Sequence, residues 1–114
     1  MPIPNSERAL IPLEKITGYL LSLNHPIGRA KAKFFRAHGY SEEAAQVLAD
    51  DLRRIGAVGQ IIEQESTAYG TKHVVEGPML TPRGTTIVMR TVWFTGREGG
   101  PPRFVTAYPK GERE

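Results

Sequence analysis

The stretch NHPIGRAKAKFFRAHGY, residues 24–40, places His25 just ahead of Arg29, Lys31 and Lys33. An imidazole with an ordinary pKa of about 6.5 can take or give a proton at neutral pH. The expected helix start after Gly28 would add unpaired N–H groups and a positive dipole, which suit an anion. His25 as acid or base, with Lys31 and Arg29 on a phosphate, is one reading. The plainer one is a histidine capping the preceding helix beside solvated cations.

Three more positions carry chemistry. Arg90, in TIVMRTVWF, alternates with Val88, Val92 and Phe94 on one strand face. An arginine among apolar neighbours needs a carboxylate partner or a wet cleft. It would clamp a phosphate or pair with Glu63, Glu65 or Glu76. In VTAYP, Thr106 and Tyr108 are expected on one face with Phe104, as phosphate and base contacts or as an ordinary strand end. In YGTKH, Tyr69 and Lys72 flank a hairpin, as substrate contacts or as a plain turn. Together these groups suit RNA cleavage without a metal. A base would activate the ribose 2′-hydroxyl, and cations would stabilise the charged phosphorane.

Other chemistries lack their marks. The chain has no cysteine, so disulfides and thiolate-held zinc are excluded. His25, His38 and His73 lack close ligand spacing, and no nucleotide-binding glycine fingerprint or HExxH occurs. Neither metal nor cofactor is expected. The net charge of +3 permits an anionic partner without demanding one. No apolar run approaches the ~20 residues of a membrane helix, and the N-terminus has no apolar signal core. The expectation is a cytoplasmic protein without membrane contact.

The elements that must position these residues follow from periodicity. A length of 114 residues argues for one α+β domain over 1–109, followed by a charged tail, 110–114. Leu13, Ile16, Leu20 and Leu21 predict a helix over 12–23. A second is expected over 29–38, lined by Ala30, Phe34 and Ala37 and stopped at Gly39. Ser41 should cap a third, about 42–55, that buries Ala44, Ala45, Leu48, Leu52 and Ile55 and ends before Gly56. Segments 60–66, 71–77, 85–95 and 103–108 read as strands joined by short turns. The prediction is about three N-terminal helices packed on one face of a four-stranded antiparallel meander.

The patterns IPNSERALIPLEKITGYLLSLNHPIGRAKAKFF, YGTKHVVEGPM and RTVWF…VTAYP resemble a family of small uncharacterised bacterial domains over residues 3–109. That likeness implies membership and no activity. A more distant likeness is to the barnase–EndoU–colicin–RelE group of toxin ribonucleases. It implies metal-independent RNA cleavage and a small acidic antitoxin or immunity protein as partner. It would match His25 to the early catalytic histidine, Lys31 to the helix cation and Arg90 to the strand arginine. Thr106 and Tyr108 would match the T-x-Y of the last strand. Two rivals stand beside it. One is a non-catalytic binding module or toxin–antitoxin-like partner protein. The other is a structural homodimer using Trp93 and Phe94 on an exposed sheet face.

Overall fold

A computed structural model describes residues 8–21 and 29–111. Helix α1, Leu13–Lys15, passes directly into a π-helical turn, Ile16–Leu20. Leu21 N closes that turn by donating to Ile16 O at 2.7 Å. The wider turn brings Ile16 and Leu21 into the core together. Over Ile16–Leu20 the regular helix expected there is therefore replaced by a π turn with its longer repeat.

Helix α2 is Arg29–Ala37. It turns Ala32 and Phe35 inward; of the expected lining, Phe34 packs partly buried against the core, while Ala30 and Ala37 are exposed. Its end is as expected: Gly39 has φ 97°, a left-handed conformation that glycine adopts without strain. Tyr40 N donates to Phe35 O and Gly39 N to Arg36 O, which satisfies two terminal carbonyls. The Tyr40 hydroxyl then donates to Asp51 Oδ2 at 2.7 Å. Burial, followed by this hydrogen bond and the nearby carboxylate charge, raises the Tyr40 pKa above the usual phenol range.

A 3-10 turn, Glu42–Ala44, precedes helix α3, Ala45–Val58. Ser41 is not the cap of α3. Its carbonyl accepts from Ala44 N within the 3-10 turn, and Ala44 is the exposed cap residue without a side-chain bond. Ala45, Leu48, Leu52 and Ile55 are buried as expected. The helix does not stop at Gly56. It runs to Val58, and Gly59 N closes it by donating to Ile55 O.

Gly56 serves packing. A Cβ there would lie 2.7 Å from Trp93 Cζ2. The tryptophan ring occupies the notch and is fully buried. Its Nε1–H donates to Thr91 Oγ1 at 2.7 Å, and Thr91 Oγ1–H donates to Val75 O at 3.1 Å. Phe104 meets the same ring edge-on at 5.5 Å between centroids. Trp93 is thus no exposed dimer surface, contrary to the expectation, while Phe94 on the opposite face is half-buried.

Strands β1 (Gln60–Ser66), β2 (Gly70–Leu80), β3 (Thr86–Gly96) and β4 (Arg103–Pro109) pair antiparallel in the order β1-β2-β3-β4. The fold is α+β, as expected. Strand alternation assigns Val75, Met79, Met89 and Trp93 to the face under α3, where Ile16, Leu21 and Phe35 join the core. Val74, Val92 and Tyr108 form a second, smaller cluster. Among the described residues no helix is long and apolar enough to cross a membrane.

One expected face assignment changes on β4. Val92 pairs with Thr106, yet Trp93 pairs with Phe104, so Val105 is the extra residue of a bulge. Phe104 therefore turns to the core, while Thr106 and Tyr108 take the other face.

Gly56→Ala tests the notch. Alanine in a helix interior normally stabilises by about 1 kcal/mol relative to glycine. Here the methyl group meets a ring held on several sides, and overpacking costs about 1–3 kcal/mol. Urea denaturation should show a net loss of up to about 2 kcal/mol; a gain would contradict the notch.

Candidate functional site

The sheet face opposite α3 carries Glu76, Arg90 and Lys72 beside the buried Val74, Val92 and Tyr108. Arg90 on β3 pairs directly with Glu76 on β2 and with Tyr108 on β4. Side chains at such directly opposed positions start about 5 Å apart at Cβ. Arg90 Nε–H donates to Glu76 Oε1 at 3.1 Å. The carboxylate thus holds one edge of the guanidinium, and among the described residues its terminal nitrogens make no hydrogen bond. The Arg90 side chain keeps 32 % of its surface exposed, against 19 % for Glu76. A charge-assisted contact of this kind fixes the plane of an arginine while part of its donor fork faces outward.

Tyr108 lies across from Arg90 and is nearly buried. Thr106, one face-step along β4, is also buried and pairs with Val92. Lys31 reaches the same place from α2. Its ammonium donates to Ala107 O at 2.9 Å and stands 5.7 Å from the centre of the Tyr108 ring. The contact satisfies a β4 carbonyl and places a cation against an aromatic face. A cavity of about 110 Å³ beside it is lined by Lys31, Phe34, Ala107 and Pro109, among others.

Of the sequence-predicted residues, Lys31 therefore contacts Tyr108, while Arg90 and Thr106 share the face of Tyr108 by strand register. Arg29 begins α2 two residues before Lys31, and its side chain lies outside the described part. His25 also lies outside the described residues. Lys72 shares the Arg90 face but sits further along β2, paired with Phe94, and its Nζ is 3.7 Å from Glu63 Oε2. Tyr69 is at the hairpin tip, 83 % exposed, away from the Arg90–Tyr108 pair. Among the described residues no group of acids and histidines could hold a metal ion.

Another cleft, about 810 Å³, contains none of the predicted site residues, though Glu76, the partner of Arg90, is in its lining. It lies between the C-terminal end of α3 and the ends of β2 and β3, with Val58, Leu80 and Val88 among its lining.

Sequence reasoning passed over His73 except as a metal ligand. The ring is 3 % exposed at the base of a cleft of about 380 Å³ that also includes Ser66, Thr71 and Thr95. Gln64 Nε2–H donates to its Nδ1 at 2.8 Å. That assignment puts the proton on Nε2, which donates to Thr95 Oγ1 at 3.0 Å. Alternation with Val75 on an expected strand was the available signal that this ring points inward.

Burial lowers the His73 pKa below the ordinary histidine value. The unfolded chain then binds a proton at a higher pH than the folded one. The stability gained by keeping the ring neutral is complete above about pH 6.5. It is lost as pH falls from there through the folded-state value. Denaturation midpoints at pH 7.5 and 5.5 should fall more in the parent than in His73→Gln; parallel falls would refute the assignment.

The comparisons with known proteins agree with this architecture. No curated protein matches the chain. One solved chain, from a contact-dependent growth inhibition toxin–immunity protein complex of Klebsiella pneumoniae 342, matches with a TM-score of 0.66. Identity is 20 %, over 86 % of this chain and 94 % of that one, so the likeness is one of fold. The resemblance to an uncharacterised domain family is borne out as well: residues 2–111 match the domain of unknown function DUF6883, and the chain belongs to that family.

Proposed function

We propose that the domain is a toxin-type ribonuclease that cleaves RNA phosphodiesters at the Arg90–Tyr108 face without needing a metal. One observation carries the reading: Lys31 stands over the ring of Tyr108, and the strand register sets Arg90 directly opposite the same tyrosine. The fold shared with a chain of a toxin–immunity complex supports it.

The division of roles follows from the chemistry of each group. His25, assigned from the sequence, would accept the proton of the ribose 2′-hydroxyl. The freed 2′-oxygen would attack the adjacent phosphorus, and the bond to O5′ would break, leaving a cyclic 2′,3′-phosphate. O5′ would leave with a proton returned by an acid. Arg90, held by Glu76, would meet the added negative charge with its terminal N–H groups. Lys31 or Arg29 would add a second cation. The Thr106 hydroxyl and Tyr108 would position the phosphate and the neighbouring base. A small acidic immunity protein would fit over the same cations and block access.

The Arg90–Glu76 ion pair also favours a second reading. A guanidinium already paired in its own sheet suits a non-catalytic binding module or an antitoxin-like partner, in which this face holds RNA or protein without turnover.

The test is incubation of the purified protein with labelled total RNA, with and without EDTA, beside folded His25→Ala and Arg90→Ala variants. EDTA-resistant cleavage is expected, reduced at least about a hundredfold in each variant. Cleavage that survives both substitutions would contradict this site. Intact RNA in every lane would move the assignment to the binding module.

A further inference from the structure

The same sheet face carries a second feature at its other end. A groove of about 690 Å³ is lined by Tyr69, Phe94, Arg97 and Arg103, with Leu10 and Pro101 beside them. Phe94 lies four residues along β3 from Arg90, on the same face, and pairs with Lys72 and Arg103. At about 3.4 Å per residue, the groove begins roughly 14 Å from the Arg90 position.

Its walls are held by the backbone. Thr67 N and Oγ1–H both donate to Gly70 O, and Tyr69 N donates to Thr67 Oγ1. Arg97 N donates to Tyr69 O at 3.0 Å, which ties the β1–β2 hairpin to the β3–β4 turn. Leu10 N donates to Pro102 O, and Phe104 N donates to Leu10 O. Yet the Tyr69 ring itself is 83 % exposed. Among the described residues, neither Arg97 nor Arg103 is in an ion pair, and Glu98 is the one acid lining the groove. A large aromatic on a fixed backbone, exposed beside two such cations, serves nothing in the core.

We infer that this groove is a base-stacking subsite for single-stranded RNA, in which Tyr69 and Phe94 receive a base and Arg97 and Arg103 hold flanking phosphates. The inference rests on the reading of the Arg90 face as an RNA site and adds where the strand continues. Stacking of this kind tolerates any base, and arginines supply the salt-dependent part of binding. The excess of cations over acids in the groove favours RNA over a protein partner.

The probe is a fluorescein-labelled single-stranded RNA with 2′-O-methyl groups throughout, which lacks the attacking hydroxyl and cannot be cleaved by the proposed route. Anisotropy titrations over a range of salt would compare the parent protein with Tyr69→Ala, Tyr69→Trp and Arg97→Ala. Tyr69→Ala should weaken binding about tenfold, and Tyr69→Trp should restore it. Arg97→Ala should make the slope of log affinity against log salt shallower by about 0.7. The exposure of Tyr69 makes loss of fold by its substitution a poor explanation. Parent-like affinity in Tyr69→Ala, or no binding by the parent, overturns the subsite. Tyrosine-dependent binding without cleavage of ordinary RNA would keep the subsite and overturn the ribonuclease. Cleavage with Tyr69-independent binding would do the reverse.

Discussion

The indole of Trp93 seated against Gly56 is the contact on which the architecture turns. It brings α3 close enough to the sheet for Leu52 and Ile55 to join the same core. The ring cannot slide, because its N–H is committed to Thr91 and Thr91 in turn to the Val75 carbonyl. An indole donor left unpaired in that position would oppose folding. With the relay in place, one face of the sheet belongs to the core. By the two-residue period of a strand, Glu76, Arg90 and Val92 must then point the other way.

The bulge at Val105 completes this division on β4. Phe104 and Thr106 have the spacing of same-face neighbours, yet their surroundings demand opposite faces. Phe104 packs on Trp93, while Thr106 and Tyr108 join the face of Arg90. One extra residue meets both demands. Lys31 then ties α2 to the β4 carbonyl at Ala107 and stands over Tyr108, the residue that the register sets opposite Arg90. Packing and candidate chemistry thus share a backbone: the bulge that completes the core also puts Tyr108 on the face of Arg90.

The strands were legible because β-branched and aromatic residues alternate between clear turns, and Gly39 was legible because a left-handed stop is a local property. Other features depend on distant partners. Gly56 carries the same local signal as a helix stop, and only Trp93, far along the chain, makes it a notch. The π turn at Ile16–Leu20 and the rotation of α2 toward Ala32 and Phe35 follow from how those segments meet the sheet. At the site, Arg90 was recognisable as a charged residue in an apolar strand, and Glu76 stood among its three candidate partners. That Lys31 would meet Tyr108 depended on packing between α2 and β4, which no local pattern encodes. The exposed Tyr69 could be named from the sequence, but its groove depends on the hairpin-to-turn bond to Arg97.

The central claim is that Arg90, Lys31, Thr106 and Tyr108 form one phosphate-binding locus. Nuclear magnetic resonance on labelled protein, titrated with an uncleavable 2′-O-methyl dinucleotide, addresses it most directly. The account predicts saturable shifts of the Arg90 Nε–H resonance and of the Thr106 and Tyr108 amides, all with one affinity. Shifts confined to the cleft between α3 and the ends of β2 and β3, with Arg90 unmoved, would contradict it.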